Sequence, residues 1–203
     1  MDKGIKLIVG IVLTVSIIIV GVRIWKVNTE DEKIKQETYE MGETVDLSGC
    51  YLFQEDENVE GYSVTVIDSQ LMTRQEFMES HGTINDDFNL KNDELVVNVK
   101  LLIQNSNKQD TGQTGLFIGG YKLTDRACFI NLDSTLLTIA NPTLPSEMFL
   151  AIRPDSEMVV ELPFSFSQNT KINPISKDRV EKGNFILTVA FSPVQKNLKV
   201  NIR

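Results

Sequence analysis

Leu95-Val96-Val97-Asn98-Val99-Lys100-Leu101-Leu102-Ile103 is the clearest strand signal in this 203-residue chain. The odd positions from Leu95 to Ile103 are all apolar, whereas Asn98 and Lys100 fall on the opposite face. An alternation with a period of two is typical of a β-strand that buries one face. We therefore expect a long strand here, ended by the polar turn-forming run at residues 105–110.

Alternating apolar positions recur along the rest of the chain and predict further strands. Residues 158–166 carry a second apolar face of five side chains. Because Pro163 has no backbone N–H, this strand is predicted to lie at a sheet edge or to contain a bulge. Shorter strands are predicted at residues 44–47 with a continuation at 50–53, at 62–67, at 148–152, at 185–191 and at 198–202. Residues 116–139 hold two or three more, around 116–123, 128–132 and 135–139.

The number and polarity of these strands predict the fold class. About nine strands with one apolar face each, and no long alternation of strands with helices, favour antiparallel sheets that pack face to face. One short helix is predicted at residues 74–81, where Phe77 and Met78 are the apolar contacts. We predict a mainly β protein, an antiparallel immunoglobulin-like β-sandwich with one short helix.

The N-terminal part of the sequence has a different character. Residues 7–22 contain no charged side chain, and the apolar span from Ile5 to Trp25 is 21 residues long. Such a length suits a helix that crosses a hydrocarbon core of roughly 30 Å. A cleaved signal peptide would have a shorter apolar region followed by small residues, whereas Arg23 and Lys26 follow this one. We predict a signal anchor and transmembrane helix at residues 1–27, a polar linker at 28–42 and an extracytoplasmic β-sandwich domain at 43–203.

The distribution of charge limits the partners of this chain. The sequence has 20 Lys and Arg against 28 Asp and Glu. Residues 1–27 hold four basic residues and one acidic residue, which leaves 16 basic and 27 acidic residues and a net charge of −11 in the remainder. An acidic domain argues against a nucleic-acid partner, since phosphate binding relies on clustered Lys and Arg. The short head before the apolar span favours a single-pass protein of the cell membrane with its C-terminal domain outside.

Residues that often carry out catalysis or bind metals are scarce. His81 is the only histidine, so zinc motifs built on His pairs are absent, and a catalytic serine or cysteine would depend on this one base. Cys50 and Cys128 would either form one disulfide bond or be two buried small apolar side chains. The segment Leu47-Ser48-Gly49-Cys50 resembles a lipobox but lies well beyond the apolar region, so we interpret Cys50 as a strand residue. We predict no catalytic, cofactor-binding or metal-binding residue.

Carboxylates are the plentiful reactive group of this sequence. They form two clusters, Glu55, Asp56, Glu57 and Glu60, and Asp86, Asp87, Asp93 and Glu94. Either cluster would offer oxygen ligands to calcium, although the spacing and the glycine of an EF-hand are missing. A glycoside hydrolase also uses two carboxylates, but the spacing here singles out no pair. We expect both clusters to lie in solvated loops.

Several stretches together resemble one known type of domain. They are Gly42-Glu43-Thr44-Val45, Glu60-Gly61-Tyr62-Ser63-Val64-Thr65-Val66, the helical Gln75-Glu76-Phe77, the strand from Leu95 into Asn105-Ser106, and the strand at 158–166. This set is similar to the telokin-like, immunoglobulin-type extracytoplasmic domains of bacteria, and more closely to a small membrane-anchored family of unknown function from Gram-positive bacteria. The resemblance implies an exported β-sandwich on a single anchor and supplies no catalytic residues. The Cys-Trp-Cys pattern of antibody domains is absent, because Trp25 is the only tryptophan.

These observations favour a non-catalytic binding or structural module whose loops at one end meet a protein or cell-envelope partner. Two alternatives remain open. In the first, the chain is a subunit of a membrane protein complex, and Gly10 and Thr14 offer small-residue contacts to other transmembrane helices. In the second, it is an envelope hydrolase that uses loop carboxylates such as Asp86 and Asp87. No cofactor is expected in the leading hypothesis.

Overall fold

The computed structural model of this chain describes residues 3–30, 34–53, 57–83, 94–110, 112, 114–126, 128–145, 148–168 and 175–203. The chain divides into two compact units, Met1–Ile34 and Lys35–Arg203. The first unit contains the helix α1 (Lys3–Glu30), to which the predicted transmembrane segment at residues 1–27 corresponds. Over the described part of the chain, no helix meets the combined requirement of length and apolar character for a membrane crossing.

The second unit is built from short strands and three short helices. In chain order its described elements are β1 (Lys35–Tyr39), β2 (Val45–Asp46), β3 (Tyr62–Thr73), α2 (Arg74–Ser80), β4 (Glu94–Asn105), β5 (Leu116–Phe117), β6 (Lys122–Asp125), β7 (Cys128–Asn131), α3 (Ser134–Ala140), β8 (Phe149–Leu150), β9 (Ser156–Ser167), α4 (Lys177–Lys182), β10 (Phe185–Ala190) and β11 (Val194–Val200). A five-stranded sheet has the order β1-β11-β10-β6-β7, a four-stranded sheet has the order β2-β3-β4-β9, and β5 pairs with β8. The prediction of a mainly β sandwich is therefore confirmed.

The two larger sheets share one hydrophobic core. The central strand β4 buries its predicted face, with Leu95 at 6% exposure and Val97, Val99, Leu101 and Ile103 at 0%. These side chains belong to the same cluster as residues of the five-stranded sheet, among them Leu123, Ile130, Leu187 and Leu198. The alternation read from residues 95–103 thus identified the core face of the central strand.

The opposite face of β4 is covered over its first half, which the sequence did not predict. Val96 and Asn98 are both buried. Val96 packs in a second, smaller cluster with Phe77 and Met78 of α2 and Leu136 of α3. The alternating pattern did not predict this burial, which at Val96 comes from two short helices, whereas the buried Asn98 donates a hydrogen bond to the Glu161 carboxylate at 2.5 Å.

Capping side chains explain where these two helices begin. The predicted helix at residues 74–81 is confirmed as α2, and the hydroxyl of Thr73 accepts a hydrogen bond from the Glu76 N–H at 3.2 Å. The predicted strand at residues 135–139 is wrong, because these residues form α3. The Asp133 carboxylate accepts hydrogen bonds from the N–H groups of Thr135 and Leu136, both at 3.0 Å, and so satisfies free donors of the first helical turn.

The edges of the four-stranded sheet are capped by neighbouring chain segments. β9 is an edge strand, as Pro163 predicted, and the Pro163 carbonyl oxygen accepts a hydrogen bond from the Asp133 N–H at 2.8 Å. The Asn141 amide, just after α3, donates to the Glu161 carbonyl at 2.7 Å and accepts from the Glu161 N–H at 3.0 Å. Along β3, the Leu71 N–H donates to the Arg203 carbonyl at 3.0 Å. Backbone groups that an open edge would present are therefore paired at these positions.

The β domain begins earlier than predicted. Residues 35–39, inside the predicted linker at 28–42, form β1, which runs parallel to β11 with Lys35 opposite Val194 and Tyr39 opposite Leu198. β1 is the exception to the predicted antiparallel pairing among the described strands. Its polar sequence gave no strand signal, because a strand at a sheet edge needs few buried side chains.

Phe191 does not continue the buried face of β10. The register shifts between Thr188 and Ala190, so that Ala190 is buried and Phe191 is 49% exposed. The strand predicted at residues 198–202 begins earlier than expected, since β11 spans Val194–Val200. The bulge in β10 cannot be read from the alternating pattern alone.

Candidate functional site

His81 follows α2 and is half-buried rather than a free surface residue. Its ring packs on Phe77 with the ring centroids 4.4 Å apart, and its Nδ1 lies 2.8 Å from the Phe77 carbonyl oxygen. Its Nε2 lies 3.4 Å from Oε2 of Glu161, and Ser80 Oγ lies 3.1 Å from Nδ1. The Ser80 hydroxyl donates to the Phe77 carbonyl at 2.7 Å, so this Ser-His-Glu series is not arranged for a nucleophile activated by the imidazole.

Glu161 gathers polar side chains on the outer face of the four-stranded sheet. Its Oε2 accepts a hydrogen bond from Asn98 Nδ2 at 2.5 Å, and Lys100 Nζ lies 3.5 Å from its Oε1. The Asn98 Oδ1 atom is buried and, among the described residues, has no hydrogen-bond partner. The side chains of His81, Asn98, Lys100 and Glu161 therefore contact one another, apart from the Asn98 Oδ1 atom. Within the described ranges, no set of three His, Cys, Asp or Glu side chains is placed to hold a metal ion.

Asp133 links α3 to α2 and to β9. Its Oδ2 lies 2.9 Å from the Arg74 guanidinium, which also lies 3.1 Å from Glu94, and it accepts a hydrogen bond from Ser165 Oγ at 2.9 Å. Burial opposes ionisation of Asp133, but the Leu136 N–H, Arg74 and Ser165 outweigh burial and lower the pKa of this carboxyl. The network fastens both helices to the sheet.

The predicted carboxylate clusters are described only in part. Glu55, Asp56, Asp86, Asp87 and Asp93 lie outside the described residues. Glu94 pairs with Arg74, as given above. The Glu57 carboxylate accepts hydrogen bonds from the backbone N–H groups of Leu52 and Phe53 at 3.0 and 2.8 Å. These two carboxylates therefore hold parts of the chain in place.

Both cysteines are free thiols, so the predicted alternative of a disulfide bond is not realised. Cys50 is buried in the main core, whereas Cys128 in β7 is half-buried. The strand predicted at residues 50–53 is reduced to an isolated bridge between Tyr51 and Ser192. Cys50 thus behaves as the small apolar side chain that the second alternative described.

An aromatic cluster at the surface of the β domain joins one residue outside the named strands to the short strands β5 and β8. It consists of Phe53, Phe117 and Phe149. The Phe53 and Phe117 ring centroids are 5.7 Å apart, and those of Phe117 and Phe149 are 4.9 Å apart. Phe53 is 68% exposed, whereas the other two rings are half-buried beneath it. Apolar side chains presented together in this way are typical of contact surfaces.

The fold holds this aromatic cluster in a defined position. β5 pairs with β8, which places Phe117 opposite Phe149. Gly115 (φ +82°) permits the close approach of the two segments, because a Cβ atom there would collide with the Leu150 backbone. The Glu57 carboxylate fixes the backbone of Phe53 from the other side. The Phe53 backbone and its neighbour Phe117 are therefore both held in place by hydrogen bonds.

The aromatic cluster lies at the end of the domain where β1 begins, here termed the entry end. Lys35 pairs with Val194, the first residue of β11. The preceding hairpin residue Ser192 bridges to Tyr51, two residues before Phe53. The exposed Phe191 belongs to the same hairpin, so Phe53 and Phe191 share the entry end.

The opposite end carries an exposed phenylalanine of its own. Phe129 pairs with Thr124, which pairs with Ile186, which in turn pairs with Lys199 near the end of β11. Phe129 is 52% exposed. This residue is a natural counterpart for comparison with Phe53.

Sequence reasoning missed the aromatic cluster and assigned Phe53 to a strand. Its three rings are separated by 64 and 32 positions in the sequence, and the two short strands that bring them together have two residues each. No periodic pattern links such positions. The sequence showed only that Phe53 stands next to an acidic stretch.

Two polar clefts open on the surface of the domain. A cleft of about 350 Å³ is lined by Ser63, Gln104, Asn105, Ser106, Asp155, Ser156 and Glu157. A cleft of about 550 Å³ is lined by Thr124, Asp125, Arg126, Asn184 and Ile186. In the second cleft Asp125 pairs with Arg179 at 3.5 Å. Neither cleft gathers side chains with the spacing of a catalytic site.

Comparisons with known proteins give a family but no activity. No curated protein matches the chain. Among solved structures, it is similar to an uncharacterized β-sandwich protein from Clostridium difficile 630, with 11% identity, a TM-score of 0.39, and coverage of 84% of this chain and 99% of that chain. The family described as "Domain of unknown function (DUF5028)" matches residues 36–196, which begin one residue after the first residue of β1. The chain belongs to this family of domains of unknown function.

Proposed function

We propose that the protein is a non-catalytic binding or structural module, anchored in the cell membrane by α1, with a telokin-like, extracytoplasmic β-sandwich that meets a protein or cell-envelope partner. The single observation that carries this proposal is the exposure of apolar side chains on every side of α1. The Gram-positive origin implied by the resemblance belongs to the same proposal.

The composition of α1 supports an anchoring role. Its large apolar side chains between residues 8 and 25 are all at least 48% exposed where they are described. Successive residues of a helix point about 100° apart, so that the run Ile17-Ile18-Ile19-Val20 covers the full circumference. A helix that is apolar on all sides is a membrane span or a buried core helix, whereas a surface helix has one polar face. A lipid environment would cover this surface.

The β domain supports a non-catalytic role. Two carboxylates of the predicted clusters, Glu57 and Glu94, serve structural contacts, and the His81 ring is held by Phe77 and Glu161. The alternative of a helix–helix contact through Gly10 and Thr14 stays a prediction, since the bond from the Thr14 hydroxyl to the Gly10 carbonyl at 2.9 Å leaves both small residues exposed. These contacts favour binding through the surface of the sandwich, whereas Asp86 and Asp87 of the hydrolase alternative lie outside the described residues.

Membrane fractionation of the full chain tests the anchor. We expect the protein to stay in the membrane pellet during an alkaline carbonate wash and to enter the soluble fraction only with detergent. The double variant Ile17→Arg, Ile19→Arg should be released by the wash, because each charge at the centre of a span costs about 3 kcal/mol. The matched control is Ile67→Arg, Val159→Arg, which changes two exposed apolar residues of the β domain and should remain in the pellet.

Protease added to intact cells tests the orientation. Digestion of the β domain without cell lysis is expected for an extracytoplasmic domain, and protection until lysis would contradict the proposed location. Release of the unaltered chain by carbonate would contradict the anchor itself. The two results are independent, so each part of the proposal can fail separately.

A further inference from the structure

We propose that His81 and Glu161 bind a zinc ion on the outer face of the four-stranded sheet. Sequence reasoning found a single histidine and predicted no metal-binding residue, but the fold brings this imidazole to a carboxylate 80 positions further along the chain. The site lies entirely within the β domain. It goes beyond the proposed function and does not depend on the anchor.

The backbone contact of His81 decides which ring nitrogen is free to bind a metal. Its Nδ1 lies 2.8 Å from the Phe77 carbonyl oxygen. A carbonyl oxygen only accepts hydrogen bonds, so Nδ1 carries the proton, and in the neutral ring Nε2 presents its lone pair. Metal-binding histidines are commonly held in this way, with the other nitrogen donating to a carbonyl or carboxylate oxygen.

The distance between Nε2 of His81 and Oε2 of Glu161 fits a shared metal ion. The two atoms lie 3.4 Å apart. A charge-assisted hydrogen bond from an imidazolium to a carboxylate would bring them to about 2.8 Å. Two ligands that bind one zinc ion tetrahedrally, at about 2.1 Å each, are about 3.4 Å apart. The separation therefore matches a bridging zinc ion better than a shared proton.

The Glu161 carboxylate is held in place and keeps a free lone pair for the ion. Asn98 Nδ2 donates a hydrogen bond to its Oε2 at 2.5 Å, which uses one of the two lone pairs of that oxygen. The Lys100 ammonium lies 3.5 Å from the other oxygen, Oε1. Ligating carboxylates are commonly fixed by such hydrogen bonds. The Lys100 charge opposes a cation here, so its removal should strengthen zinc binding.

The surroundings of the pair leave room for the other ligands of a zinc ion. The side chains of His81 and Glu161 are 17% and 23% exposed, so an ion can reach Nε2 and Oε2 from solvent. The described residues supply no set of three His, Cys, Asp or Glu ligands, so water takes the remaining positions. Zinc accepts imidazole nitrogen readily, whereas calcium and magnesium prefer oxygen ligands. The pair should therefore select zinc over these two ions.

Modification of the single histidine by diethyl pyrocarbonate tests the site on the full chain. The protein is purified in detergent without a polyhistidine tag, so that the reaction reports on His81 alone. We expect saturating zinc at neutral pH to slow the modification by about tenfold or more, because the ion occupies Nε2. Calcium and magnesium should leave the rate unchanged. A rate that zinc does not change, or that all three ions slow equally, would overturn the inference.

Three variants of the full chain test which groups bind the ion. Glu161→Gln should weaken zinc affinity, measured by competition with a fluorescent chelator, by about tenfold or more. The matched control is Glu157→Gln on the same strand, whose carboxylate contacts Gln104, and it should leave the affinity unchanged. Lys100→Met should raise the affinity by about fivefold, because a positive charge beside Glu161 is removed. Circular dichroism checks that each variant keeps its β structure.

The same variants also define the results that contradict a zinc site. Equal losses for Glu161→Gln and Glu157→Gln would mean that zinc binds surface carboxylates without a site. A Lys100→Met variant that binds zinc more weakly than the unaltered chain would contradict the placement of the ion beside Glu161.

Nitrogen NMR of the labelled imidazole separates a zinc ion from a shared proton. With saturating zinc, we expect Nε2 to carry no proton and Nδ1 to keep its own. If Nε2 stays protonated under these conditions, His81 and Glu161 form an ion pair only, and the inference is wrong. These measurements report on the β domain, so their failure leaves the proposed anchor intact, and release of the chain by carbonate would leave the zinc site intact.

Discussion

The two faces of β4 reach burial in different ways. On one face, Leu95, Val97, Val99, Leu101 and Ile103 meet the five-stranded sheet in a single large core. On the other face, Val96 is covered by α2 and α3 and Asn98 is buried beside Glu161, while the positions further along the strand are only partly covered. The first face is buried by sheet packing and the second by two short helices fixed through polar contacts.

This difference shows which features of a strand its own sequence determines. The core face is built from apolar side chains alone, so its burial follows from the period-two pattern. The outer face depends on the capping of α2 by Thr73, on Asp133 and its partner Arg74, and on the packing of Leu136. Those residues lie outside β4 in the sequence, so the pattern of the strand itself cannot predict their contacts with it.

The largest effect is expected on the core face. Leu101→Ala should lower the free energy of unfolding by about 3 kcal/mol, since it removes a fully buried side chain and leaves a cavity. Leu102→Ala is the matched control on the outer face, where the side chain is half-buried, and should cost less than about 1 kcal/mol. Urea unfolding of the full chain in detergent measures both. Equal losses would remove the distinction between the two faces.

The sequence predicted the core strands better than the elements around them. β4 and β9 follow long alternating patterns and were predicted, as were the first half of β3, at residues 62–67, and the edge position of β9 from Pro163. α3 was taken for a strand, because residues 135–139 are too few to separate a period of two from a period of 3.6 and the capping role of Asp133 went unrecognised. β1 was taken for a linker, because its stability comes from backbone pairing with β11.

An intermediate effect is expected at Asp133, which links α3 to α2 and to β9. Asp133→Ala should cost about 2 kcal/mol, because it removes the cap of α3 and leaves the half-buried Arg74 with Glu94 as its remaining carboxylate partner. Ser134→Ala, at the neighbouring exposed position, is the control and should change stability by less than about 0.5 kcal/mol. Urea unfolding again gives both values. A loss as small as that of the control would mean that α3 is held by packing alone.

The Asp133 contribution should also depend on pH. The pKa of this carboxyl is lower in the folded chain, so the unfolded chain binds more protons in the acidic range. The stabilisation is therefore complete above about pH 4 and is lost as the pH falls through the lowered pKa of the folded state. The difference in stability between the unaltered chain and Asp133→Asn, which keeps a capping oxygen, should shrink over that range. A difference that stays constant down to low pH would contradict this assignment.

The candidate site was less accessible to sequence reasoning than the fold. The scarcity of histidine argued against several chemistries, whereas the two carboxylate clusters left calcium binding and hydrolysis open and lie partly outside the described residues. The aromatic cluster could not be foreseen, since the contacts of Phe53, Phe117 and Phe149 depend on the pairing of β5 with β8 and on the hydrogen bonds from the Leu52 and Phe53 N–H groups to Glu57. Contacts between loops depend on many distant residues at once, whereas a strand face depends on its own alternation.

The smallest effect is expected at Asn98, the polar residue buried on the outer face. Asn98→Leu removes its hydrogen bond to Glu161 and also removes the buried Oδ1 that has no partner among the described residues. The two changes oppose each other, because an unpaired buried oxygen carries a desolvation cost. We expect a change in the free energy of unfolding within about 0.5 kcal/mol of zero.

Asn141→Leu is the contrasting control for Asn98. Asn141 is also buried, but its amide is fully used by the Glu161 backbone and the Leu137 carbonyl, so this change should cost more than about 1 kcal/mol. If Asn98→Leu proves as costly as Asn141→Leu, the Asn98 Oδ1 must be paired in solution, with a buried water as the natural donor. The outer face of β4 would then be as completely satisfied as the core face, and the contrast between them would be one of chemistry alone.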